Sequence, residues 1–156
     1  MLNSAGLKES PVPIDAAASD LSLLLDLATT LEARYPSAQE EWLRLFRLCD
    51  KYDFYMVRRR LYNRLIDHIR NSPWDVFCIA SHLDDTRLAK KAVKKFDNDQ
   101  SHSELTLNTI TLKDASQPTL PYLLGLLQLK KAYGSDGKTW ASISKGFKAH
   151  TRVRQT

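Results

Sequence analysis

One pattern occurs twice between Trp42 and Phe96. Phe46-x-x-Cys49-x-x-Tyr52-Asp53 leads on to Val57, Leu61 and Leu65, and Phe77-x-x-Ala80-x-x-Leu83-Asp84 leads on to Leu88, Ala92 and Phe96. Matched positions lie about 31 residues apart, the length of one helical hairpin. An Asp stands at the same turn in both copies, where a helix start needs a side-chain acceptor. This is a packing scaffold rather than a reaction centre.

The flanking sequence extends the helical reading. Ser19 or Asp20 is placed to cap a helix with Leu21, Leu24, Leu25 and Ala28 on one face. Ser37-Ala38-Gln39-Glu40 matches a capping box ahead of Trp42, Leu45, Phe46, Cys49 and Tyr52. Asp53 is expected to cap the next helix, with Phe54, Val57, Leu61, Leu65 and Ile69 inward. Ser72-Pro73-Trp74-Asp75 is a further start signal, because Ser at N-cap, Pro at N1 and Asp at N3 each suit the free amides of a first turn. Its apolar face is Val76, Phe77, Ala80 and Leu83, and Asp84 or Asp85 opens the partner helix with Leu88, Ala89, Ala92, Val93 and Phe96.

Asp97 to Ser103 reads as a polar loop, and Leu105, Leu107, Ile110 and Leu112 fit either a short strand or a helical turn. Thr119 and Pro121 open a last apolar helix through Leu123, Leu124, Leu127 and Leu129, ended by Gly134 in the left-handed conformation. The expectation is an all-α fold of about six helices packed as hairpins. Its divisions are a flexible or extended lead over 1–18, a helical domain over 19–134 and a basic, disordered tail over 135–156.

Composition bounds the function. The chain has 156 residues and 43% apolar content, enough for one buried core. No run of 18 apolar residues is present, so no membrane-spanning helix is expected. The N-terminus lacks the basic-then-apolar pattern of a secretory signal. Cys49 and Cys78 fall on apolar helix faces and read as buried, reduced thiols. Together these place the chain inside the cell, without choosing between nucleus and cytoplasm. The net charge is +5 and unevenly spread, acidic over residues 1–57 and basic from 58 on. Such asymmetry attracts nucleic acid, an anionic membrane or an acidic protein face, or forms an ordinary solvated surface.

No metal-ligand spacing, nucleophile motif, phosphate loop or dinucleotide fingerprint is present, so no cofactor and no catalysis are expected. The run Arg58-Arg59-Arg60, with Arg64 one turn on, reads as a docking patch for an acidic peptide or phosphate, or as a solvated face paired to the acidic N-terminal third. Lys90, Lys91, Lys94 and Lys95 repeat at helical spacing and are candidates for phosphate contact. Trp140 and Phe147 interleave with the basic residues of the tail, a pattern that suits RNA or membrane contact without specifying either.

Two segments resemble a known family. Ser19-Asp20-Leu21-x-x-Leu24-Leu25-Asp26-Leu27 and Leu45-x-x-Leu48-Cys49-Asp50-Lys51-Tyr52-Asp53-Phe54, followed by Val57, Arg58 and Leu61, resemble the C-terminal helical half of fungal-type BTB/POZ domains. That family shows L-x-x-L-A-D-K-Y-D-M here, then V-x-x-x-L. Trp74 to Ala80 is similar to its P-x-x-V-Y-A-I-A segment, Leu88-Ala89-x-x-Ala92 continues the match, and Pro118 to Leu129 looks like its later helix. The family's N-terminal sheet half, with its D-V and F-x-x-H-r-x-x-L elements, has no counterpart here, as in a truncated relative. The resemblance implies a non-catalytic protein-interaction module that self-associates or joins other proteins, in some members as a cullin-ligase adaptor.

Two functions follow as expectations. The first is protein–protein interaction through a groove near Trp42, Tyr52, Tyr55 and Tyr62 with Arg58 and Arg59, because aromatic and Arg side chains dominate interface energetics. The second is a small basic nucleic-acid-binding protein that uses Lys90, Lys91, Lys94, Lys95 and the tail.

Overall fold

Pro73 fixes φ for a first helical turn, and from there to Ser81 every residue except Asp75 is buried. A helix apolar on all sides belongs inside a core. This helix, α4 (Pro73–His82), is the centre of the molecule, with α2 (Gln39–Lys51), α3 (Tyr55–His68) and α5 (Thr86–Val93) packed against it. The structure, a computed structural model, describes residues 15–30, 32–133 and 138–150. Among these, α1 (Ala18–Thr29) covers α2 and α3, and α6 (Leu112–Ser116), α7 (Leu120–Tyr133) and α8 (Trp140–Ile143) complete the chain. The described residues are all-α: eight α-helices, short 3-10 turns and no strand.

The two Asp residues of the repeated pattern are helix stops. Asp53 has φ 60° and Asp84 φ 52°, both left-handed. The amide of the following residue reaches back over the helix end, Phe54 N–H to Cys49 O and Asp85 N–H to Ala80 O, each at 2.9 Å. This is the six-to-one bond of a Schellman ending, which satisfies a carbonyl left free at the last turn. The expectation that Asp53 caps α3 therefore fails. The N-cap of α3 is Phe54, with no side-chain acceptor, whereas Asp85 caps α5 by accepting from Leu88 N–H at 2.9 Å.

Two other starts shift by a residue or two. The capping box of α2 closes through Glu41 rather than Glu40. Its carboxylate accepts from Ser37 N–H at 2.9 Å and Ala38 N–H at 3.3 Å, and these bonds hold its pKa below the usual value. Neither Ser19 nor Asp20 caps α1, whose N-cap is Ala17. Asp20 faces inward with Leu24 and Leu27, while Leu25 and Ala28, expected on the buried face, are exposed. The Arg44 guanidinium makes that burial possible by donating to both Asp20 oxygens, at 2.8 and 3.2 Å.

The largest correction concerns the C-terminal tail. Residues 138–150, read as disordered, complete the core: Trp140 and Phe147 are fully buried, and Ile143 is 5% exposed. The Asp97 carboxylate holds the start of α8 by accepting from Trp140 N–H and Ala141 N–H, each at 2.9 Å. The Trp140 indole donates to Ser103 O at 2.7 Å, so the loop after α5 and the tail anchor each other. Phe77 of α4 lies within 5.7–6.3 Å, centroid to centroid, of Trp74, Phe96, Tyr122 and Phe147. Each fully buried Phe contributes about 1.5–3 kcal/mol. The weak periodicity of the tail hid this, because its few apolar residues plug gaps instead of forming a stripe.

Between α5 and α7 only Leu105 of the four expected apolar positions is buried; Ile110 is partly so, and Leu107 and Leu112 are exposed. Thr111 caps α6 there, its hydroxyl accepting from Asp114 N–H. Gln117 ties this stretch to the core. Its side-chain oxygen accepts from the Trp74 indole at 2.7 Å, and its backbone oxygen lies 2.8 Å from His82 Nε2. Gly134, expected to end α7, lies outside the described residues.

Candidate protein-interaction site

The first turn of α3 breaks a local rule. Where its counterpart 31 residues on reads Asp85-Thr86-Arg87, it reads Phe54-Tyr55-Met56. Phe54 is 39% exposed, Tyr55 68% and Met56 65%. The buried stripe of α3 begins only at Val57 and continues through Leu61 and Leu65. Tyr55 and Met56 are out of phase with that stripe, and Phe54 is the N-cap residue ahead of it. Phe54, expected inward, is thus half outside.

Tyr55 opens onto a groove of about 420 Å³ along the outer side of α3, lined by Tyr55, Arg58, Arg59, Tyr62, Asn63 and Asp85. Four of the six residues expected at an interaction face therefore share one concavity. Tyr62 forms its half-buried wall, and its hydroxyl donates to Asp85 Oδ2 at 2.8 Å. Burial, then this hydrogen bond, pushes the Tyr62 phenol up to about 12. Asp85 is held twice, by the α5 amide and by Tyr62, so this wall is rigid.

The arginine run splits into three roles. Arg58 Nε donates to Asp50 Oδ1 at 2.7 Å, and its guanidinium lies 5.7 Å from the Phe46 ring. Arg60 leaves the groove and donates to Leu27 O and, at 3.4 Å, to Thr30 O at the end of α1, where carbonyls lack helix partners. Arg59 is exposed and makes no hydrogen bond or ion pair among the described residues.

The other two expected residues stand apart. Trp42 is 4% exposed and packs on Phe46 at 6.4 Å, so it belongs to the core. Tyr52 is half-buried behind the turn, where its hydroxyl accepts from Asp15 N–H at 3.1 Å and its ring lies 6.2 Å from Phe54. Phe54 and Met56 were not expected at the face. The signal for Met56 was its apolar character at an out-of-phase position of a helix start.

Three of the four lysines proposed for phosphate contact also meet in a groove. Lys91, Lys94 and Lys95 line a concavity of about 720 Å³ with Arg64, Arg70 and Asn71 of the α3 end and the turn after it. Lys90 is half-buried and lies outside it. The tail aromatics Trp140 and Phe147 are buried and offer no surface to a base or a bilayer. Cys49 and Cys78 are buried free thiols, and burial pushes Cys49 up to about 11 and Cys78 up as well. No helix of the described residues is long and apolar enough to cross a membrane. Comparison of the chain with family models, curated proteins and solved structures finds no match.

Proposed function

We propose that this protein is a non-catalytic protein-interaction module that docks another polypeptide on the first turn of α3 and the groove beside it. The observation that carries the reading is the pairing of two like turns with unlike chemistry. One has a capping Asp and polar neighbours; the other gives up its cap and exposes Phe54, Tyr55 and Met56. An uncapped helix start costs about 1 kcal/mol. A local choice that lowers stability and exposes apolar area marks a functional surface. Its partner carries an apolar side chain to cover Tyr55 and Met56 and a carboxylate for Arg59. The resemblance to the helical half of BTB/POZ domains supports the same class of function, as a BTB-like adaptor or scaffold.

Site-directed photo-crosslinking tests this. A photoreactive side chain at position 55 is expected to give discrete adducts in extracts of the source cells, or with a second copy of the chain. Those adducts disappear in the Arg59→Glu background. The same group at Lys113, an exposed position away from the groove, gives none of them. Identical adducts from both positions, or none from position 55, refute the reading.

A further inference from the structure

We infer that the groove between the end of α3 and the end of α5 is a second binding site, and that it takes the phosphate backbone of a nucleic acid. Five cations line it, Arg64 and Arg70 from one side and Lys91, Lys94 and Lys95 from the other, against one carboxylate, Asp67. None of the five makes an ion pair among the described residues. Arg64 is held in place by the Tyr35 ring, 4.9 Å from its guanidinium carbon. Five cations gathered around one carboxylate repel one another, a cost that a bound polyanion removes.

The shape and lining select among anions. The groove is open and draws its cations from two separate elements, so it offers charge to several phosphates in a row. One phosphorylated side chain engages only one or two such groups. The apolar lining residues, Ile66 and Ile69, are half-buried and buried, so no hydrophobic wedge protrudes toward a bilayer. No aromatic ring lines it for bases to stack on, and Asn71 is its one neutral amide. Recognition is therefore of backbone charge, with little sequence preference. The site shares no lining residue with the protein-docking groove, and either can exist without the other.

The test uses the full chain and a labelled single strand of about 20 nucleotides at roughly 50 mM salt. Replacing Lys91, Lys94 and Lys95 by Gln is expected to weaken binding about tenfold or more. It also lowers the slope of log affinity against log salt by about 2, at about 0.7 for each phosphate that the protein no longer neutralises. Replacing Lys113, Lys145 and Lys148 by Gln removes the same charge elsewhere and changes affinity less than about twofold. If the triple groove variant unfolds, Arg70→Gln alone reports on the same site through a smaller loss and a slope drop of about 0.7. Equal losses in groove and control variants, no binding by the parent chain, or tighter binding to phosphatidylserine vesicles or a phosphoserine peptide each overturn the proposal.

Discussion

Asp53 and Asp84 hold the same left-handed backbone conformation, φ 60° and 52°, at the ends of α2 and α4. Their surroundings differ. The Asp53 side chain is exposed and makes no hydrogen bond among the described residues, whereas Asp84 Oδ1 accepts from the Tyr122 hydroxyl at 3.0 Å. Left-handed φ is costly for a residue with Cβ and free for glycine. Asp53→Gly is therefore expected to stabilise the protein by roughly 0.5–1 kcal/mol. Asp84→Gly gains the same relief but leaves the buried Tyr122 hydroxyl with only the Thr86 hydroxyl, 3.2 Å away, as a partner in place of a carboxylate, and is expected to be neutral or destabilising. Urea melts of the two variants check this; equal effects in both would show that the Tyr122 bond carries no weight.

Gly125 is where the C-terminal segment crosses α7. A Cβ at this position would collide with the backbone carbonyl of Lys148, while His150 N–H donates to Pro121 O at 2.7 Å one turn away. Backbone cannot yield as a flexible side chain does. Gly125→Ala is thus expected to cost about 1–3 kcal/mol. It should also raise amide exchange at residues 147–150 more than in α2 or α3. Uniform exchange across the chain would mean that the crossing does not seat the tail.

Tyr62 and Tyr122 give the protein a limit on the alkaline side. Burial is the main cause in each case, and both phenols are pushed up to about 12. A folded-state value above the ordinary phenol value of about 10 means that the folded protein holds the proton more tightly. The associated stability is complete below pH about 10 and is lost as pH rises toward 12. Unfolding free energy is expected to fall across that window, with Tyr62→Phe showing a shallower fall. A Tyr62→Phe profile that overlays the parent would remove Tyr62 from the explanation.

How much of this is legible in the sequence depends on what kind of signal each residue carries. The stripes of α2, α3 and α5 are readable because Val57, Leu61 and Leu65, or Leu88 and Ala92, recur at helical spacing on one face. Asp53 misleads because its residue type suits both an N-cap and a left-handed stop, and only the backbone decides. Asp20 misleads because its burial depends on Arg44, 24 residues away. Residue type points Trp42 to a surface, although its own helix stripe already puts it inside. Trp140, Ile143 and Phe147 are invisible as core because each fills a hole left by elements distant in sequence. Of the interaction site, Tyr55, Arg58, Arg59 and Tyr62 stand out by type, but their convergence on one groove needs the fold.

Phe54 offers the sharpest test of stability given up for docking. Its backbone, φ −79° and ψ 61°, is close to that of Asp85, φ −98° and ψ 88°, so the cap geometry is present and only the acceptor is missing. Phe54→Asp supplies that acceptor to the α3 amides and is expected to add about 1 kcal/mol, less what the partly covered ring now contributes against Tyr52. The same change removes an apolar anchor and places a negative charge at the docking face. Crosslinking from position 55 should then fall sharply while the melting temperature rises. A variant destabilised by more than about 1 kcal/mol would make Phe54 a packing residue. The bare helix start would then be a structural accommodation, and the interaction site would rest on Tyr55, Met56 and Arg59 alone.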